Sequence, residues 1–333
     1  MTRVFVTHPS DKLQSYFGQR ALDALRAVAE VRLNSEARDL PVEDLIEAAA
    51  GCDALIAYRQ TPAPARLFDG LPTLKAFIRC AMDIRTVDVA AASARGVLVT
   101  QAGPGFNAAV AEWIVGAMID LGRGTSRYVQ AYQRGESPMP AMGRELRGAT
   151  LGIVGFGGIG STLAPLARAF GMRVLVNTLQ RLEPRDGLQQ VELPELLAGA
   201  DFVVCLAPAN EHTAGLFGAG AFAAMKPDAY FINASRGELV DEAALLQALD
   251  QGRLAGCALD VGMAPDQMPS PALARHPRVV ATPHIGGLTP PAIEYQALET
   301  VSQLTALLQG RMPGGAVNAA HATRLKEAGW GPR

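Results

Sequence analysis

A glycine-rich segment, Leu151–Gly160, constrains the fold of this chain more than any other feature. Gly155, Gly157 and Gly160 give the spacing G-x-G-x-x-G, directly after the apolar run Thr150–Val154 and before an Ala-rich stretch with a helical pattern. In a strand-turn-helix unit the first glycine permits the tight turn, the second lets the main chain approach a pyrophosphate, and the third lets helix and strand pack closely. The segment therefore predicts a dinucleotide-binding βαβ unit. A glycine-rich turn in another α/β protein is the alternative.

Short apolar runs alternate with helical patterns along the rest of the chain, which predicts parallel strands joined by crossover helices. A first series precedes the glycine motif and a second begins with it, and 333 residues are ample for two domains. The expected class is therefore α/β, with two Rossmann- or flavodoxin-like parallel-sheet domains. The predicted strands are Arg3–Thr7, Ala54–Tyr58, Leu74–Cys80, Val97–Thr100, Thr150–Val154, Arg173–Asn177, Asp201–Leu206, Ala229–Asn233, Gly256–Asp260 and Val279–Ala281, and helical stretches are expected near Leu13–Ala29, Val42–Ala50, Val87–Arg95 and Pro291–Gln309.

Charge and composition argue against several classes of protein. The formal net charge is −2 and no basic patch stands out, so no nucleic-acid partner is expected. No uncharged apolar stretch is long enough to span a bilayer, and the N-terminus lacks the apolar core of a signal peptide, which predicts a cytoplasmic protein without a membrane partner. Cys52, Cys80, Cys205 and Cys257 are scattered, so neither a metal site nor a disulfide framework is predicted.

Three further motifs follow the glycine motif in a fixed order: S-R-G at Ser235–Gly237, A-L-D-V at Ala258–Val261 and T-P-H-I-G-G at Thr282–Gly287. Together with the glycine motif they resemble the D-isomer-specific 2-hydroxyacid dehydrogenases, which use NAD or NADP, and the resemblance extends over nearly the whole chain. The segment around Asn107 and Glu112 resembles that family's P-G-x-N-x-x-x-V-A-E pattern.

The resemblance implies that the nucleotide domain is inserted into the substrate domain. Residues 1–101 would form the first part of the substrate domain, residues 102–285 the dinucleotide-binding domain, and residues 286–333 a return helix and tail that complete the substrate domain. It also implies that the stretch Arg123–Arg144 wraps a partner subunit in a homodimer, with a plain surface linker as the alternative.

Two residues are candidates for the chemistry of a 2-hydroxy acid. His284 is the candidate acid/base, because imidazole titrates near neutrality and the residue follows a predicted strand, where open α/β sheets bind ligands. Arg236 is the candidate clamp, because its planar fork matches a carboxylate and can stabilise charge on a carbonyl oxygen. A histidine capping a loop and a solvated arginine are the alternatives.

The resemblance also implies a set of cofactor contacts. Ala234 and Asp260 would meet the nicotinamide carboxamide, although Asp260 could instead cap a turn, and Pro208 and Thr213 would line the adenine pocket. The full predicted cofactor set is Gly155, Gly157, Gly158, Ile159, Gly160, Thr178, Arg181, Pro208, Thr213, Ala234, Ser235, Arg236, Asp260, His284, Gly286 and Gly287.

The chain departs from the family at the acidic partner of the histidine. The family usually has Glu-Pro a few residues after A-L-D-V, and that carboxylate stabilises the charged imidazole. Here Ala264 stands at the position of the glutamate, and Asp266 is the nearest carboxylate. Asp266 either replaces the glutamate as a catalytic residue or is a solvated loop residue.

A second departure lies in the predicted substrate loop, which includes Ala81, Met82 and Asp83. The family's loop is glycine-rich and binds the substrate carboxylate through main-chain amides, so Asp83 adds a negative charge where an anion should dock. This charge could exclude a simple carboxylate or favour a substrate with an amine or extra hydroxyls, and Arg59 and Arg85 could offset it. Alternatively, Asp83 turns away and pairs with Arg79 or Arg85.

The third departure concerns the choice of cofactor. NAD-specific folds place an acid after the second strand to hold the ribose 2′-hydroxyl. Thr178 takes that position here and Arg181 lies close by, which favours NADP or dual use. Gly158 stands where relatives often carry an arginine, so one pyrophosphate contact is missing.

These observations predict a dehydrogenase or reductase that transfers a hydride between NAD(P)(H) and a small 2-hydroxy or 2-keto acid. The alternative is a dinucleotide-binding interaction or regulatory protein that kept the fold with weak or no catalysis. The replacement by Ala264 favours the alternative, whereas Arg236 and His284 favour the enzyme.

Overall fold

The computed structural model describes residues 1–183, 187–327 and 329–330. It divides into two compact units, one formed by Met1–Gly105 with Pro290–Arg333 and the other by Phe106–Thr289. The boundaries predicted near Gln101 and Ile285 fall after Gly105 and after Thr289. The second unit is therefore an insertion in the chain of the first.

The first unit begins with five strands and five helices. In chain order these are β1 (Arg3–Val6), α1 (Leu13–Tyr16), α2 (Gln19–Val28), β2 (Glu30–Leu33), α3 (Val42–Ala48), β3 (Ala54–Ala57), α4 (Ala65–Gly70), β4 (Ala76–Arg79), α5 (Val89–Ala94) and β5 (Leu98–Gln101).

The five strands form one parallel sheet in the order β2-β1-β3-β4-β5. Neighbouring residues of β1 lie on opposite faces: Val4 belongs to one apolar cluster together with Ile56, and Phe5 belongs to the other together with Leu55. Both faces of the central strands are thus buried under helices. This explains why these strands are continuous apolar runs without alternation.

The second unit begins with two helices that precede the glycine motif, and strands and helices alternate after it. In chain order its elements are α6 (Asn107–Arg123), α7 (Thr125–Gln133), β6 (Thr150–Val154), α8 (Gly158–Ala169), β7 (Arg173–Asn177), β8 (Leu188–Gln190), α9 (Leu193–Gly199), β9 (Phe202–Cys205), α10 (Ala219–Ala224), β10 (Tyr230–Asn233), α11 (Glu242–Asp250), β11 (Gly256–Leu259), α12 (Pro271–Ala274) and β12 (Val279–Ala281).

The strands of the second unit form a seven-stranded parallel sheet in the order β12-β11-β10-β9-β6-β7-β8. The chain winds outward from β6 to one side and then returns to β9 on the other side of it. The topological switch point therefore lies between β6 and β9, where a doubly wound sheet binds ligands beyond the carboxyl ends of its strands. The predicted class of two parallel α/β sheets is confirmed.

The last part of the chain completes the first unit. Helix α13 (Pro290–Leu308) packs Val301 and Leu304 into the same cluster as Val4, and α14 (Thr323–Glu327) follows it. Between them the chain covers edge strand β5, where Val317 donates its amide to Val99 (2.9 Å). This cover removes an exposed sheet edge.

Some elements differ from the sequence analysis. The predicted helix Leu13–Ala29 is divided into α1 and α2 at Gly18, whose φ of 81° lies in the left-handed region. The short edge strands β2 and β8 were not predicted, and neither was α7 within the stretch Arg123–Arg144.

The four cysteines are buried free thiols. Burial raises the pKa of the Cys80 and Cys205 thiols to about 12. Such thiols stay protonated at neutral pH and are poor nucleophiles.

Candidate active site

The glycine turn lies at the switch point of the second sheet, between β6 and α8. Gly155 has a φ of 95°, and a Cβ there would lie 2.5 Å from the amide nitrogen of Ala207. A Cβ on Gly160 would lie 2.9 Å from the carbonyl oxygen of Gly155, so this glycine lets α8 pack closely on the turn. A Cβ on Gly157 would meet nothing within 4 Å. The turn is tight on the protein side and open above Gly157.

The N-terminus of α8 fits a phosphate group. Gly157 precedes the helix, and no side chain among the described residues caps its first amides, while the space above this glycine is open. Uncapped N–H groups at a helix N-terminus attract anions. These residues therefore suit the pyrophosphate of a dinucleotide.

Gly158 has a structural reason to be a glycine. A Cβ there would lie 2.3 Å from the side-chain nitrogen of Asn107, the residue at which α6 begins. An arginine at this position would require Asn107 to move. The side chain of Asn107 thus occupies the space that a larger residue at position 158 would need. Ile159, the next residue of α8, packs against the apolar cluster beneath the sheet.

The loop that follows β7 carries the two residues predicted to select the cofactor. Thr178 is half-buried and Arg181 is exposed. One side chain from β8 organises this loop: Gln190 donates its amide hydrogens to the carbonyl oxygens of Thr178 (3.0 Å) and Gln180 (2.9 Å), and accepts the amide of Leu182 (2.9 Å). The conformation of the loop therefore depends on a residue outside it.

The turn after β9 contains the two residues assigned to the adenine pocket. The Thr213 hydroxyl donates to the carbonyl oxygen of Pro208 (2.6 Å) and accepts the amide of Asn210 (2.9 Å). These bonds close the turn and hold Thr213 beside Pro208.

Arg236 lies in a segment braced by a buried asparagine. Asn233, 1% exposed at the end of β10, donates to the carbonyl oxygen of Arg236 (2.9 Å) and accepts the amide of Ser235 (3.1 Å). The Ser235 hydroxyl donates to the carbonyl oxygen of Ala207 (2.6 Å), and Arg236 Nη1 donates to the carbonyl oxygen of Ser235 (2.8 Å). The half-buried Ala234 lies between these anchors. The guanidinium is thus held on a fixed main chain.

The loop Thr282–Gly286 carries His284 and is held by one buried carboxylate. Asp260, 3% exposed, accepts hydrogen bonds from the Thr282 hydroxyl (2.6 Å) and from the amides of Ile285 (2.8 Å) and Gly286 (2.7 Å). A Cβ on Gly286 would lie 2.8 Å from this carboxylate, and one on Gly287 3.0 Å from the Cβ of Phe106. Both glycines therefore allow the loop to pack closely around His284.

These contacts bear on the role of Asp260. Its carboxylate caps the loop, which was the alternative given for this residue. Its predicted contact with a nicotinamide carboxamide stays a prediction.

The side chain of His284 contacts the main chain of Asp266. Nδ1 of His284 lies 3.0 Å from the carbonyl oxygen of Asp266, and His284 itself has a φ of 56°. Arg236 follows β10 and His284 follows β12, and since only β11 lies between these strands, the two segments start about 10 Å apart on the same sheet edge. That separation suits two groups that act on one small molecule.

The predicted substrate loop belongs to the first unit and follows β4. There Asp83 forms an ion pair with Arg85, with Nη2 2.8 Å from the carboxylate and the Arg85 amide 2.9 Å from it. Both interpretations of Asp83 named Arg85, as a residue that offsets its charge and as its partner, so this ion pair is compatible with either of them. Ala81 is half-buried, Met82 is 38% exposed, and Arg59 is half-buried shortly after β3.

A buried arginine supports this loop. Arg79, 1% exposed, donates to the carbonyl oxygens of Tyr58 (2.7 Å), Thr61 (2.7 Å) and Asp83 (3.0 Å). It also donates to the Thr86 hydroxyl. Burial lowers the pKa of its guanidinium to about 10, so it stays charged at neutral pH. A fixed positive charge behind the loop favours an anionic ligand in front of it.

The sequence assigned no role to Asn233 or Gln190, and it offered Arg79 only as a possible partner of Asp83. A charged residue at the end of the apolar run Leu74–Cys80 was a signal for Arg79, since buried arginines are rare and almost always paired. Gln190 gave no such signal, because its partners in the loop after β7 lie 8 to 12 residues away in sequence.

Two negative observations concern the described part of the chain. Its His, Cys, Asp and Glu side chains form no group of three placed to hold a metal ion. No helix within it is both long and apolar enough to cross a membrane.

The strand order of the second sheet and the glycine turn at its switch point define a dinucleotide-binding protein of the doubly wound class. Comparison with known proteins agrees. Residues 115–286 match the family described as D-isomer specific 2-hydroxyacid dehydrogenase, NAD binding domain. A glyoxylate reductase from Thermococcus gammatolerans is 31% identical over 323 residues, which are 94% of this chain and 96% of that protein.

Solved structures are similar over almost the whole chain. The TT0316 protein of Thermus thermophilus has a TM-score of 0.84 at 32% identity and covers 95% of this chain and 100% of its own. A glyoxylate reductase from Paecilomyes thermophila has a TM-score of 0.81 at 26% identity, covering 96% and 99%.

The chain therefore belongs to the family of D-isomer specific 2-hydroxyacid dehydrogenases. The predicted family and the predicted NAD(P)-dependent oxidoreductase of 2-hydroxy acids are confirmed.

Proposed function

We propose that this protein reduces small 2-keto acids to 2-hydroxy acids, with Arg236 as the clamp and His284 as the acid/base. Arg236 binds the substrate carboxylate and stabilises charge on the carbonyl oxygen at C2. His284 donates a proton to that oxygen in reduction and accepts it in oxidation. When bound, NAD(P)H supplies the hydride to C2.

The observation that carries this proposal is the loop Thr282–Gly286. The buried carboxylate of Asp260 accepts three hydrogen bonds that fix this loop. The loop holds the half-buried His284 with its main chain in the left-handed region. Strained main chain held in this way is a feature of sites that position a reacting group.

For the substrate, we propose a small anionic 2-keto acid, and for the loop Ala81–Asp83 of the first unit, taken by itself, we propose an affinity for anions. The buried charge of Arg79 behind this loop supports an anion there, and the pairing of Asp83 with Arg85 reduces the repulsion that Asp83 would otherwise exert. Relatives that are named glyoxylate reductases make glyoxylate the first compound to test.

For the cofactor, we propose NADP or dual use. The support is the absence of an acid at Thr178 and the exposed Arg181 nearby, which suits a 2′-phosphate. We also propose a homodimer, supported by exposed apolar side chains in the stretch around α7, where Val129 is 48% and Tyr132 67% exposed. Sedimentation equilibrium of the purified protein measures this, and a monomer at micromolar concentration would contradict it.

The test of function is turnover of a panel of 2-keto acids with NADPH and with NADH, by the native protein and by His284→Ala. We expect the substitution to lower kcat by about 10²–10⁴-fold while the affinity for the dinucleotide stays mostly intact. Full turnover by His284→Ala would remove this residue from the mechanism. Absence of turnover by the native protein, with dinucleotide binding intact, would favour the interaction or regulatory protein instead.

A further inference from the structure

The imidazole of His284 has a main-chain carbonyl as its hydrogen-bond partner, which the positions of the carboxylates in the sequence do not predict. Its Nδ1 lies 3.0 Å from the carbonyl oxygen of Asp266. A carbonyl oxygen can only accept a hydrogen bond, so Nδ1 must carry the hydrogen. In the neutral ring Nε2 then has the lone pair, and it is the nitrogen that can exchange a proton with a substrate.

The carbonyl reaches the ring because of an unusual main chain. Asp266 has a φ of 57° and Gln267 a φ of 59°, two consecutive residues other than glycine in the left-handed region. Such residues are uncommon and persist only where their surroundings hold them. The turn is therefore specified by the structure around it.

Four contacts hold this turn. Within it, the amide of Gly262 donates to the carbonyl oxygen of Gln267 (2.8 Å), and that of Ala264 to the carbonyl oxygen of Met268 (3.0 Å). From outside, Gln267 Nε2 donates to Glu238 Oε1 (3.4 Å), and Glu242 Oε1 accepts the amide of Met263 (3.1 Å).

The turn is also packed against the segment that carries Arg236. A Cβ on Gly237 would lie 2.3 Å from the carbonyl carbon of Gly262, so the two main chains touch. The position of the Asp266 carbonyl is thus tied to the same segment as the proposed clamp.

We infer that the main-chain carbonyl of Asp266 replaces the missing glutamate as the partner that orients His284 and fixes its tautomer. This inference rests on the proposed role of His284. Asp266 is then a positioning residue that acts through its main chain, and Ala264 can lack a carboxylate without loss of ring orientation.

A carbonyl and a carboxylate fix the same tautomer but differ in charge. A carboxylate would add a full negative charge beside the ring, whereas a carbonyl adds only a dipole. The Asp260 carboxylate binds the amides of Ile285 and Gly286 next to this histidine, and Glu238 contacts the turn through Gln267. Replacing a carboxylate by a carbonyl keeps a hydrogen-bond acceptor at Nδ1 of His284 and removes the negative charge beside the ring.

Nitrogen NMR of the full-length protein with ¹⁵N-labelled histidine rings tests the inference without turnover. The chain has five histidines, and the His284 signals are assigned by their loss in His284→Ala. We expect a neutral ring with hydrogen on Nδ1 and none on Nε2, with and without NADPH. A ring with hydrogen on Nε2, or an even mixture of tautomers as in free histidine, would overturn the inference.

Three variants separate the carbonyl from the carboxylate. Asp266→Asn keeps the carbonyl and tolerates the left-handed region, so the tautomer should be unchanged. A loss of the Nδ1 hydrogen in this variant would identify the carboxylate as the partner and overturn the inference. Gln267→Pro fixes φ near −65° and disfavours the left-handed conformation at Asp266, so the carbonyl should move and the tautomer should become mixed.

Gln267→Gly is the matched control, because it removes the same side chain but readily adopts a positive φ. It should retain the hydrogen on Nδ1, and both variants should bind NADPH like the native protein if they are folded. Equal tautomers in Gln267→Pro and Gln267→Gly would contradict the inference. Full activity of His284→Ala would instead contradict the proposed function and leave the tautomer result standing.

Discussion

At the scale of single residues, the main-chain segments of Arg236 and His284 are each fixed by one buried polar side chain. Asn233 holds the main chain of Arg236, and Asp260 holds the loop of His284. Both supporting side chains are almost completely buried. The hydrogen bonds of these buried groups stabilise the geometry on which the proposed chemistry depends.

A substitution at Arg236 separates the effect of its positive charge on activity from the effect of its planar guanidinium group. Arg236→Lys keeps the positive charge but loses the planar fork, so kcat/KM for a 2-keto acid should fall by the equivalent of about 2–4 kcal/mol. Steady-state kinetics measure this. Arg324→Lys is a control, since that arginine donates to the carbonyl oxygens of Leu71 and Leu74 in the first unit. A fully active Arg236→Lys would show that the fork is not needed.

At the scale of elements, the conformation of the loop after β7 depends on a side chain from the neighbouring strand β8. Gln190 on β8 binds three main-chain groups between Thr178 and Leu182 and so presents Arg181 in one arrangement. The predicted role of Arg181 in meeting a 2′-phosphate therefore depends on Gln190.

Gln190→Leu removes the three hydrogen bonds and keeps the approximate volume of the side chain. We expect NADPH to bind about 3- to 10-fold more weakly, since each net hydrogen bond contributes about 0.5–1.5 kcal/mol and this side chain is exposed. The affinity for NADH should change less, because NADH has no 2′-phosphate. Isothermal titration calorimetry with both dinucleotides measures the two dissociation constants.

Thr178→Asp is the opposite test of the same loop. It restores an acid that can bind the ribose 2′-hydroxyl and repel a 2′-phosphate, so preference should move toward NADH. Strong NADH preference in the native protein, or equal weakening of both dinucleotides by Gln190→Leu, would be incompatible with this account of the loop.

At the scale of the whole molecule, a buried histidine links stability to pH. His8 is 1% exposed, lies between the rings of Phe17 and Tyr58, and has an Nδ1 without a hydrogen-bond partner among the described residues. Burial lowers the pKa of His8 to about 3. The unfolded chain therefore binds a proton at His8 below about pH 6.5, whereas the folded chain does so only near pH 3.

The stability that depends on neutral His8 is present above about pH 6.5 and is lost as the pH falls toward 3. Within that window the free energy of unfolding should fall by up to about 1.4 kcal/mol for each unit by which the pH is lowered. Urea unfolding of the native protein and of His8→Phe at pH 7 and pH 5 measures the difference, which should be smaller in the variant. His212→Gln, at a side chain that is 85% exposed, should behave like the native protein. An equal pH dependence in His8→Phe would disprove the role of His8.

The amino-acid sequence by itself determined the parallel sheets, their approximate boundaries and the order of the site segments. Signals for these features are local: an apolar run makes a buried strand, and glycines at a fixed spacing make a tight turn. The edge strands β2 and β8 escaped prediction because they are partly exposed and neither is a continuous apolar run. The break of the first helix at Gly18 depends on one left-handed residue.

Only the tertiary structure decided which atoms meet in the site. The sequence offered Asp266 as a carboxylate, and the structure places its main-chain carbonyl at His284, because two left-handed torsions turn the chain. It left Asp83 with several partners, and the fold pairs it with Arg85. Gln190 reaches the loop after β7 only once β7 and β8 are paired. Residue type and spacing set what a side chain is able to do, whereas main-chain torsions and strand pairing set what it contacts.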